Sequence, residues 1–294
     1  CHAVSGVALC YNSSMKKWRV QAIGLLLALG FANWSLWGYV AEGNTLRVTF
    51  LDVGQGDAIL VETPQGHQIL IDGGPSRKVL EKVGKILPFW DKSIDLVILT
   101  HTDADHITGL VGVLEKYDVA NVLWTGVTAD TNIFKSWESA LERYSKPDFK
   151  GERVGLYLAR AGQKIVWSQN SDAAFMEILS PDDSSIASAK ATNDTGVVSK
   201  LVFGSHSFLF TADITKIVEQ KLIDQGVDLD SDVLKVPHHG SKFSSSESFL
   251  AAISPSLAVI QVGAKNSYGH PTLEVLSRLG NIPVLRTDEK GDII

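Results

Sequence analysis

The sequence predicts an α/β protein of four layers, in which two β-sheets pack face to face and helices cover the outer side of each. Two successive blocks of the chain support this αβ/βα sandwich, since each has β-prone runs that are followed by helical segments. With 45% hydrophobic and 20% charged residues in 294 positions, the chain can bury a large core. The third observation is a cluster of histidine and aspartate directly after an apolar strand, where such folds place their sites.

The first block begins after Glu42-Gly43-Asn44, where short apolar runs alternate with glycine turns. Its predicted elements are strands at 46–51, 58–62 and 68–71, a helix at 76–87, a strand at 96–100, a helix at 107–117, a strand at 121–124 and a helix at 132–144. The polar stretch from there to Gly162 is predicted to be irregular.

The second block again starts with strands. Its predicted elements are strands at 164–166, 175–179, 197–203, 207–210, 233–236 and 257–262, with helices at about 215–225, 246–253 and 272–279. The segment Pro181–Asp194 is rich in Ser, Asp and Ala and is predicted to be a mobile loop.

The N-terminal part predicts a membrane segment. Val20 to Val40 is an uncharged stretch of 21 residues that follows Lys16, Lys17 and Arg19. An uncleaved anchor is favoured over a cleaved signal peptide, and a buried core helix is the third alternative. Met15 resembles a translation start, so residues 1–14 are expected to be upstream sequence. The expected organisation is a segment at 1–19, an anchor or signal at 20–40, and a domain at 44–294 that lies outside the cytoplasm.

Charge and cysteine content restrict the chemistry. The formal net charge is −6 and the pI is near 5.8, so no general positive field attracts nucleic acid. A polyanionic substrate would have to be held locally, by metal and a few basic side chains. The two cysteines, Cys1 and Cys10, lie at the N-terminus, so the body of the chain has no thiolate metal ligand.

The sharpest motif is Thr100-His101-Thr102-Asp103-Ala104-Asp105-His106, between an apolar strand and a helix. Alternation at the strand end sends His101, Asp103 and Asp105 to one side, and the turn into the helix brings His106 beside them. Imidazole and carboxylate ligands suit zinc, manganese or iron. The alternative interpretation is a helix capped by Asp105 with incidental histidines.

This motif resembles the second motif of the metallo-β-lactamase superfamily, H-x-H-x-D-H, as H-x-D-x-D-H. Asp103 in place of the middle histidine makes the site richer in oxygen and favours manganese relative to an all-histidine zinc site. A true β-lactamase is therefore not expected. The resemblance implies the four-layer metallo-β-lactamase fold and a centre of two divalent metal ions, Zn or Mn.

Other motifs of the superfamily follow in order. Ile71-Asp72-Gly73-Gly74 resembles the first motif, which implies that Asp72 orients the ligand loop. Phe210-Thr211-Ala212-Asp213 resembles the fourth motif, and Asp213 is the expected metal-bridging carboxylate. Lys235-Val236-Pro237-His238-His239-Gly240-Ser241 resembles the fifth, with His238 favoured as the ligand and His239 as the second candidate. An ordinary Asp-Gly turn is the alternative for Asp72.

The histidine of the third motif is missing. Its place is taken by Thr192-Asn193-Asp194-Thr195, so the first metal ion is expected to have His101, Asp103 and Asp213 as ligands. Asn193 and Asp194 are candidate weak ligands, although such a pair also suits a plain turn.

A narrower resemblance is to the extracellular hydrolase domain of the ComEC competence family, which are DNA-uptake channel proteins. It covers about residues 46–294 and depends on Phe50 to Asp57, the metal motif, Lys235 to Ser241, Tyr268-Gly269-His270-Pro271 and Arg286-Thr287-Asp288. It implies a nuclease that acts on DNA outside the membrane, with a channel protein as a partner. No segment of these 294 residues is expected to form the channel or the oligonucleotide-binding domain of that family, and positions 211–213 are T-A-D where the family usually has T-G-D.

The expected chemistry is the hydrolysis of a phosphodiester by water that the two metal ions activate, with Asp105 and Asp213 as essential carboxylates. His270 is a candidate for protonating the leaving oxygen or holding the phosphate, and its alternative role is to cap the helix near Thr272. Ser241, Lys242 and Asn266 are expected to line the cleft. The alternative functions are a cell-surface esterase for small phosphodiesters such as choline-phosphate esters, and a non-catalytic docking subunit of a DNA-uptake channel.

Overall fold

The computed structural model describes residues 45–144, 155–167 and 174–294, together with residues 21, 23–27, 29 and 30, which are helical. The chain divides into two compact units, Cys1–Thr45 and Leu46–Ile294. The predicted segment 1–19 and most of the predicted membrane segment 20–40 lie outside the described residues. Within the described part of the chain, no helix is long and apolar enough to cross a membrane.

The second unit is built on two mixed sheets. The first sheet has six strands in the order of the sequence, antiparallel from β1 to β3 and parallel from β3 to β6. Its strands are β1 (Arg47–Phe50), β2 (Ile59–Glu62), β3 (Gln68–Ile71), β4 (Ser93–Leu99), β5 (Asp118–Trp124) and β6 (Gly155–Leu158).

The second sheet has seven strands, antiparallel from β7 to β10 and parallel from β10 to β13. Its strands are β7 (Lys164–Val166), β8 (Ala174–Ser180), β9 (Val198–Phe203), β10 (His206–Phe210), β11 (Val233–Lys235), β12 (Leu257–Ile260) and β13 (Val284–Arg286).

Helices connect the parallel strands of both sheets. Among the described residues of the second unit, the α-helices are α1 (Lys78–Ile86), α2 (Ala104–Lys116), α3 (Asn132–Tyr144), α4 (Asp183–Ser188), α5 (Lys216–Asp224), α6 (Glu247–Ile253), α7 (Leu273–Leu279) and α8 (Thr287–Lys290). The same described residues form 3-10 helices at Thr192–Thr195 and Pro237–Gly240.

Three apolar clusters define four layers. The middle cluster lies between the sheets and includes Ile98 from the first sheet and Phe210 from the second. The two outer clusters pack helices onto the sheets, α1 to α3 on the first sheet and α5 to α7 on the second. Because apolar side chains point to both faces of each sheet, both sheets are buried on two sides. The predicted αβ/βα sandwich is confirmed.

Two predictions about local structure are wrong. The stretch up to Gly162, predicted to be irregular, contains the edge strand β6, whose residues Leu156, Tyr157 and Leu158 are exposed and therefore show no alternation of burial. The predicted loop 181–194 contains α4 and a 3-10 helix. Asp182 caps α4 by accepting a hydrogen bond from the Ser185 N–H (2.6 Å), so the Ser- and Asp-rich composition marks a helix start here.

The topology brings four strand ends to one edge of the sandwich. Strands β3 and β4 are parallel neighbours in the first sheet, and β10 and β11 are parallel neighbours in the second. The carboxyl ends of parallel strands meet at the same edge, which is where α/β folds place their sites. The predicted metal ligands and Asp72 follow these four strands, whereas Asn193 and Asp194 precede β9 and Asn266 and His270 follow β12.

Candidate metal centre

The loop after β4 carries the first group of site residues. Helix α2 begins at Ala104 with Asp103 as the N-cap residue, and the Asp103 side chain makes no cap hydrogen bond. Asp103 instead accepts a hydrogen bond from Thr192 (2.6 Å), and its Oδ2 lies 3.7 Å from Nε2 of His101. Asp105 lies inside the helix and does not cap it. The carboxylates of this loop are therefore available to a cation.

Asp72 orients both histidines of the loop. Its carboxylate accepts hydrogen bonds from the Thr100 N–H (2.9 Å), the Thr100 hydroxyl (2.7 Å) and Nδ1 of His106 (2.8 Å). The Thr100 hydroxyl has one proton, which it donates to Asp72, so its oxygen accepts from Nδ1 of His101 (3.0 Å). Both rings then donate from Nδ1 and turn Nε2 towards the other site residues, as metal-binding histidines do.

Asp213 connects the two sheets at the centre of the site. It follows β10, and its Oδ2 lies 3.4 Å from Nε2 of His106 and 3.2 Å from Nε2 of His239. Burial raises the pKa of Asp213, but the charges of His239 and His106 outweigh this and hold the pKa well below its usual range. Asp213 is therefore a permanent anion between two imidazoles.

The structure brings His239 into this group ahead of His238. The Nδ1 atom of His239 donates to the carbonyl of Gln261 (2.8 Å), so its Nε2 faces Oδ2 of Asp105 at 3.3 Å. His238 lies beside the group, with its Nε2 at 4.0 Å from Oδ2 of Asp213 and its side chain 27% exposed. Both residues have positive φ, 52° and 53°, in the 3-10 helix after β11. This left-handed turn points the two consecutive side chains in different directions.

Four residues have the arrangement of a metal site. One ligand atom from each of Asp105, His106, Asp213 and His239 lies within 4.8 Å of the others. The Nε2 atoms of His101 and His106 are buried and make no hydrogen bond to any described residue. Burial lowers the pKa of His106, but Asp213 and Asp72 raise it well above its ordinary value, so this position favours a positive charge, which a bound cation would supply in place of the proton on Nε2. Imidazole Nε2 atoms that face carboxylates and make no hydrogen bond fit a divalent cation.

The buried ion pair of Lys235 and Asp57 lies next to Asp213. The ammonium of Lys235 contacts the carboxylate of Asp57, donates to the carbonyl of Ala212 (2.8 Å) and lies 3.4 Å from Oδ1 of Asp213. Burial lowers the pKa of Lys235, but Asp57 and Asp213 raise it above its ordinary value, so the lysine stays charged. It therefore holds Oδ1 of Asp213 while Oδ2 faces the imidazoles.

Sequence analysis did not assign Asp57 or Lys235 to the site. A signal for Lys235 was available, because it is the one charged residue in the apolar run Val233–Val236. Asp57 closes the turn Gly54-Gln55-Gly56-Asp57. A Cβ on Gly56 would lie 2.2 Å from the carbonyl oxygen of Asp105, so only glycine lets this turn approach the site.

A second grouping of Asp57, Asp72 and His106 also has metal-like spacing. In this second grouping, Asp57 already contacts Lys235 and Asp72 already accepts hydrogen bonds from Thr100. The second grouping therefore holds the residues of the first grouping in place.

Residues 51–150 match the family model described as the metallo-beta-lactamase superfamily. The chain carries a metallo-β-lactamase superfamily domain. The matched segment contains Asp57, Asp72 and the loop 101–106, and Asp213 and His239 lie beyond it.

Several curated relatives are competence proteins. The chain is 33% identical over 269 residues to ComE operon protein 3 of Bacillus subtilis (strain 168), covering 84% of this chain and 32% of that protein. It is 31% identical over 273 residues to Competence protein ComA of Neisseria gonorrhoeae, covering 91% of this chain and 34% of that protein. The chain spans about a third of the length of these curated relatives. The predicted resemblance to the ComEC competence family is confirmed.

A solved structure supports the fold. The metallo-beta-lactamase fold protein YhfI of Bacillus subtilis superposes with a TM-score of 0.50 at 11% identity, covering 83% of this chain and 96% of that one. At this identity the likeness shows a shared fold and nothing more.

Asn193 and Asp194, the residues expected near the third motif, are not part of the group of Asp105, His106, Asp213 and His239. Asn193 approaches His238, with 3.5 Å between Nδ2 and Nε2. Asp194 accepts from the Thr215 hydroxyl (2.8 Å), which ties its carboxylate to the start of α5. The structure therefore brings Asn193 to the edge of the site and turns Asp194 away from it.

The residues expected to line the cleft lie in two neighbouring loops. The ring of His270 lies 5.9 Å from that of His238, and α7 has Thr272 as its N-cap residue, so His270 does not cap it. Ser241 is buried, and Lys242 places its Nζ 5.3 Å from the centre of the Phe243 ring. The Asn266 side chain holds the loop before α7 and does not point to the cluster: its Nδ2 donates to the carbonyls of Gly263 (2.9 Å) and His270 (2.8 Å).

Proposed function

We propose that this metal-dependent hydrolase is a phosphodiesterase that cleaves DNA outside the cytoplasm. The observation that carries the proposal is the buried cluster of Asp105, His106, Asp213 and His239. Ligand sets of carboxylate and imidazole without thiolate suit Mn²⁺ or Zn²⁺. The competence proteins that the chain resembles support DNA as the substrate, since competence is the uptake of DNA. The acidic surface requires that the centre itself attract the phosphate.

Each residue of the centre has a role in this proposal. The cluster would hold one divalent ion, and His101 and Asp103 would hold a second that shares Asp213. When bound, such ions lower the pKa of water and neutralise the oxygens of a phosphodiester. Asp72 keeps the rings of His101 and His106 in the tautomer that presents Nε2. Lys235 fixes the orientation of Asp213.

His270 is proposed to act on the substrate. Its ring lies next to that of His238, and its Nδ1 is buried and makes no hydrogen bond to a described residue. An N–H of this ring can donate to a phosphate oxygen or to the leaving oxygen of the bond that breaks.

The decisive experiment is to incubate the purified chain with Mn²⁺ and a labelled single strand of DNA. We expect shortened products with Mn²⁺ and none with EDTA. Asp213→Ala and Asp105→Ala should lower cleavage by more than about 100-fold, because loss of even an outer partner of a metal site costs about 10- to 100-fold. Asp130→Ala removes an exposed carboxylate (side chain 92% exposed) outside the cluster and should leave cleavage unchanged. An intact strand after incubation of the wild-type protein with Mn²⁺ and with Zn²⁺ would refute the proposal.

The net charge of −6 favours a second candidate, an esterase for small phosphodiesters such as choline-phosphate esters. Non-specific DNA binding depends on many cation contacts to phosphates, which an acidic protein offers only locally. Turnover of a chromogenic phosphodiester with no cleavage of DNA would support this candidate.

The remaining alternative is a non-catalytic subunit that docks to a DNA-uptake channel protein. Less than one equivalent of transition metal after reconstitution would support it.

The placement outside the cytoplasm and the membrane anchor at 20–40 are part of the proposal. Protease treatment of intact cells checks them, since an external domain is digested and a cytoplasmic one is protected.

A further inference from the structure

The loop between β12 and α7 presents an exposed aromatic ring beside the metal centre. Tyr268 in this loop is 68% exposed, and its ring stacks on that of His270 with 5.7 Å between centroids and 22° between planes. The His270 ring contacts that of His238 at 5.9 Å, and Nε2 of His238 lies 4.0 Å from Asp213. A line of aromatic rings therefore leads from solvent to the cluster.

Asn266 holds this loop in one conformation. Its Oδ1 accepts hydrogen bonds from the N–H groups of Tyr268 (3.2 Å) and His270 (3.0 Å). Its Nδ2 donates to the carbonyls of Gly263 (2.9 Å) and His270 (2.8 Å). All four contacts are inside the loop, so the Tyr268 ring is placed before any ligand arrives. A ligand that binds it loses less free energy to ordering the protein.

A second exposed ring lies in the adjoining loop. Phe243 is 64% exposed, and the ammonium of Lys242 lies 5.3 Å from its centroid. The two loops touch, because the Thr272 N–H donates to the carbonyl of Gly240 (2.9 Å). Flat apolar rings with a nearby cation are the surface that single-stranded nucleic acid uses, because every base has a π-face. Stacking also does not depend on net charge, which suits a chain of net charge −6.

We propose that Tyr268 is a stacking platform for one base of a single strand whose neighbouring phosphodiester enters the metal centre. This rests on the proposed function, and it specifies that the substrate is single-stranded and is held through a base as well as through phosphate. The alternative occupant of an exposed ring is a quaternary ammonium such as choline.

The test measures binding of a fluorescein-labelled oligothymidylate by anisotropy, in Ca²⁺, with the strand checked on a denaturing gel. The variants are Tyr268→Ala, Tyr268→Phe and the control Tyr157→Ala, which removes a tyrosine that is 54% exposed on the edge strand β6. Loss of one stacked base costs roughly 1–3 kcal/mol, so Tyr268→Ala should weaken binding by about 5- to 150-fold. Tyr268→Phe and Tyr157→Ala should bind within about twofold of the wild type.

A scan with abasic sites makes the assignment specific. For the wild type, one abasic position in the oligonucleotide should weaken binding as much as Tyr268→Ala does. With Tyr268→Ala, that same position should have no further effect, because the platform is already gone. Wild-type binding of Tyr268→Ala, or an abasic effect that persists in it, would overturn the inference. The inference would also be overturned if Tyr268→Ala weakened the binding of phosphocholine and left the binding of DNA unchanged.

Failure of this inference differs from failure of the proposed function. If the wild type cleaves DNA and Tyr268→Ala binds it equally well, only the platform is refuted. If the wild type neither binds nor cleaves the strand, both proposals are refuted.

Discussion

At the scale of single residues, Ala212 is held in a conformation that suits glycine. Its φ is 46°, in the left-handed region where a Cβ approaches the following carbonyl oxygen. The Ala212 carbonyl accepts from the ammonium of Lys235 (2.8 Å) and from the N–H of His238 (3.2 Å). These contacts fix the turn that aims Asp213, so strain at this position is part of how the site is built.

We expect the change in the free energy of unfolding to be more favourable for Ala212→Gly than for Ala258→Gly by about 1–2 kcal/mol. This difference is the cost of holding an L-residue in the left-handed region, which glycine does not have. Ala258 is the matched control, since it is as buried as Ala212 but lies in the extended strand β12. Both changes lose one methyl group and gain the flexibility of glycine. Denaturant unfolding without metal measures the difference. Equal costs in the two variants would show that position 212 is unstrained.

Some residues of the site could be predicted from the sequence and others could not. The motif residues Asp105, His106 and Asp213 come together as their resemblance to the superfamily motifs implies. The choice between His238 and His239 depends on two consecutive left-handed φ values, which no residue pattern at these positions indicates. Asp57 and Lys235 meet across two sheets, 178 positions apart in sequence, so only the folded chain reveals their pairing.

At the scale of elements, helix α2 is bonded to the loop that carries Asp72. The Gly73 N–H donates to the carbonyl of His106 (2.8 Å), and the Gly109 N–H donates to the carbonyl of Gly74 (3.0 Å). A Cβ on Gly109 would lie 1.9 Å from the carbonyl oxygen of Gly73. Close approach of helix and loop therefore sets the position of His106 relative to Asp72.

We expect Gly109→Ala to destabilise the fold by about 1–3 kcal/mol, because the helix must move away from the loop. Gly84→Ala in α1 is the control, since its Cβ would meet its nearest atom at 3.6 Å, an ordinary contact. There the gain in helix propensity should stabilise the fold by up to about 1 kcal/mol. Thermal unfolding of both variants measures the two effects. A Gly109→Ala protein as stable as Gly84→Ala would contradict this account of the packing.

Helices and strands with a clear pattern of apolar residues were predicted from the sequence, and those without such a pattern were missed. Alternating or continuous apolar runs indicated β1 to β5 and β7 to β12 with ends close to those observed. The edge strands β6 and β13 were missed, because their side chains are exposed or half-buried without alternation, whereas burial alternates along the edge strand β7. Helix α4 was missed because its signal is a cap residue, Asp182, inside a polar segment.

At the scale of the whole molecule, folding concentrates negative charge in an already acidic chain. The centre gathers Asp57, Asp72, Asp103, Asp105 and Asp213 from both sheets, and the buried cation Lys235 balances part of this charge together with His106 and His239, whose pKa values are raised. Bringing like charges together costs free energy that the unfolded chain does not meet. A divalent cation that binds the assembled carboxylates offsets this cost and binds only the folded state.

Metal should therefore stabilise the fold through the cluster. At a concentration 100 times the dissociation constant, a ligand specific for the folded state adds about 2.7 kcal/mol to the free energy of unfolding. We expect Mn²⁺ to raise Tm relative to EDTA in the wild type and in Asp130→Ala, whose lost carboxylate is exposed. In Asp213→Ala the rise should largely vanish, because Asp213 links the ligands of the two sheets. Thermal unfolding of the three proteins with Mn²⁺ and with EDTA gives the comparison. An equal rise in Asp213→Ala would place the metal elsewhere in the chain.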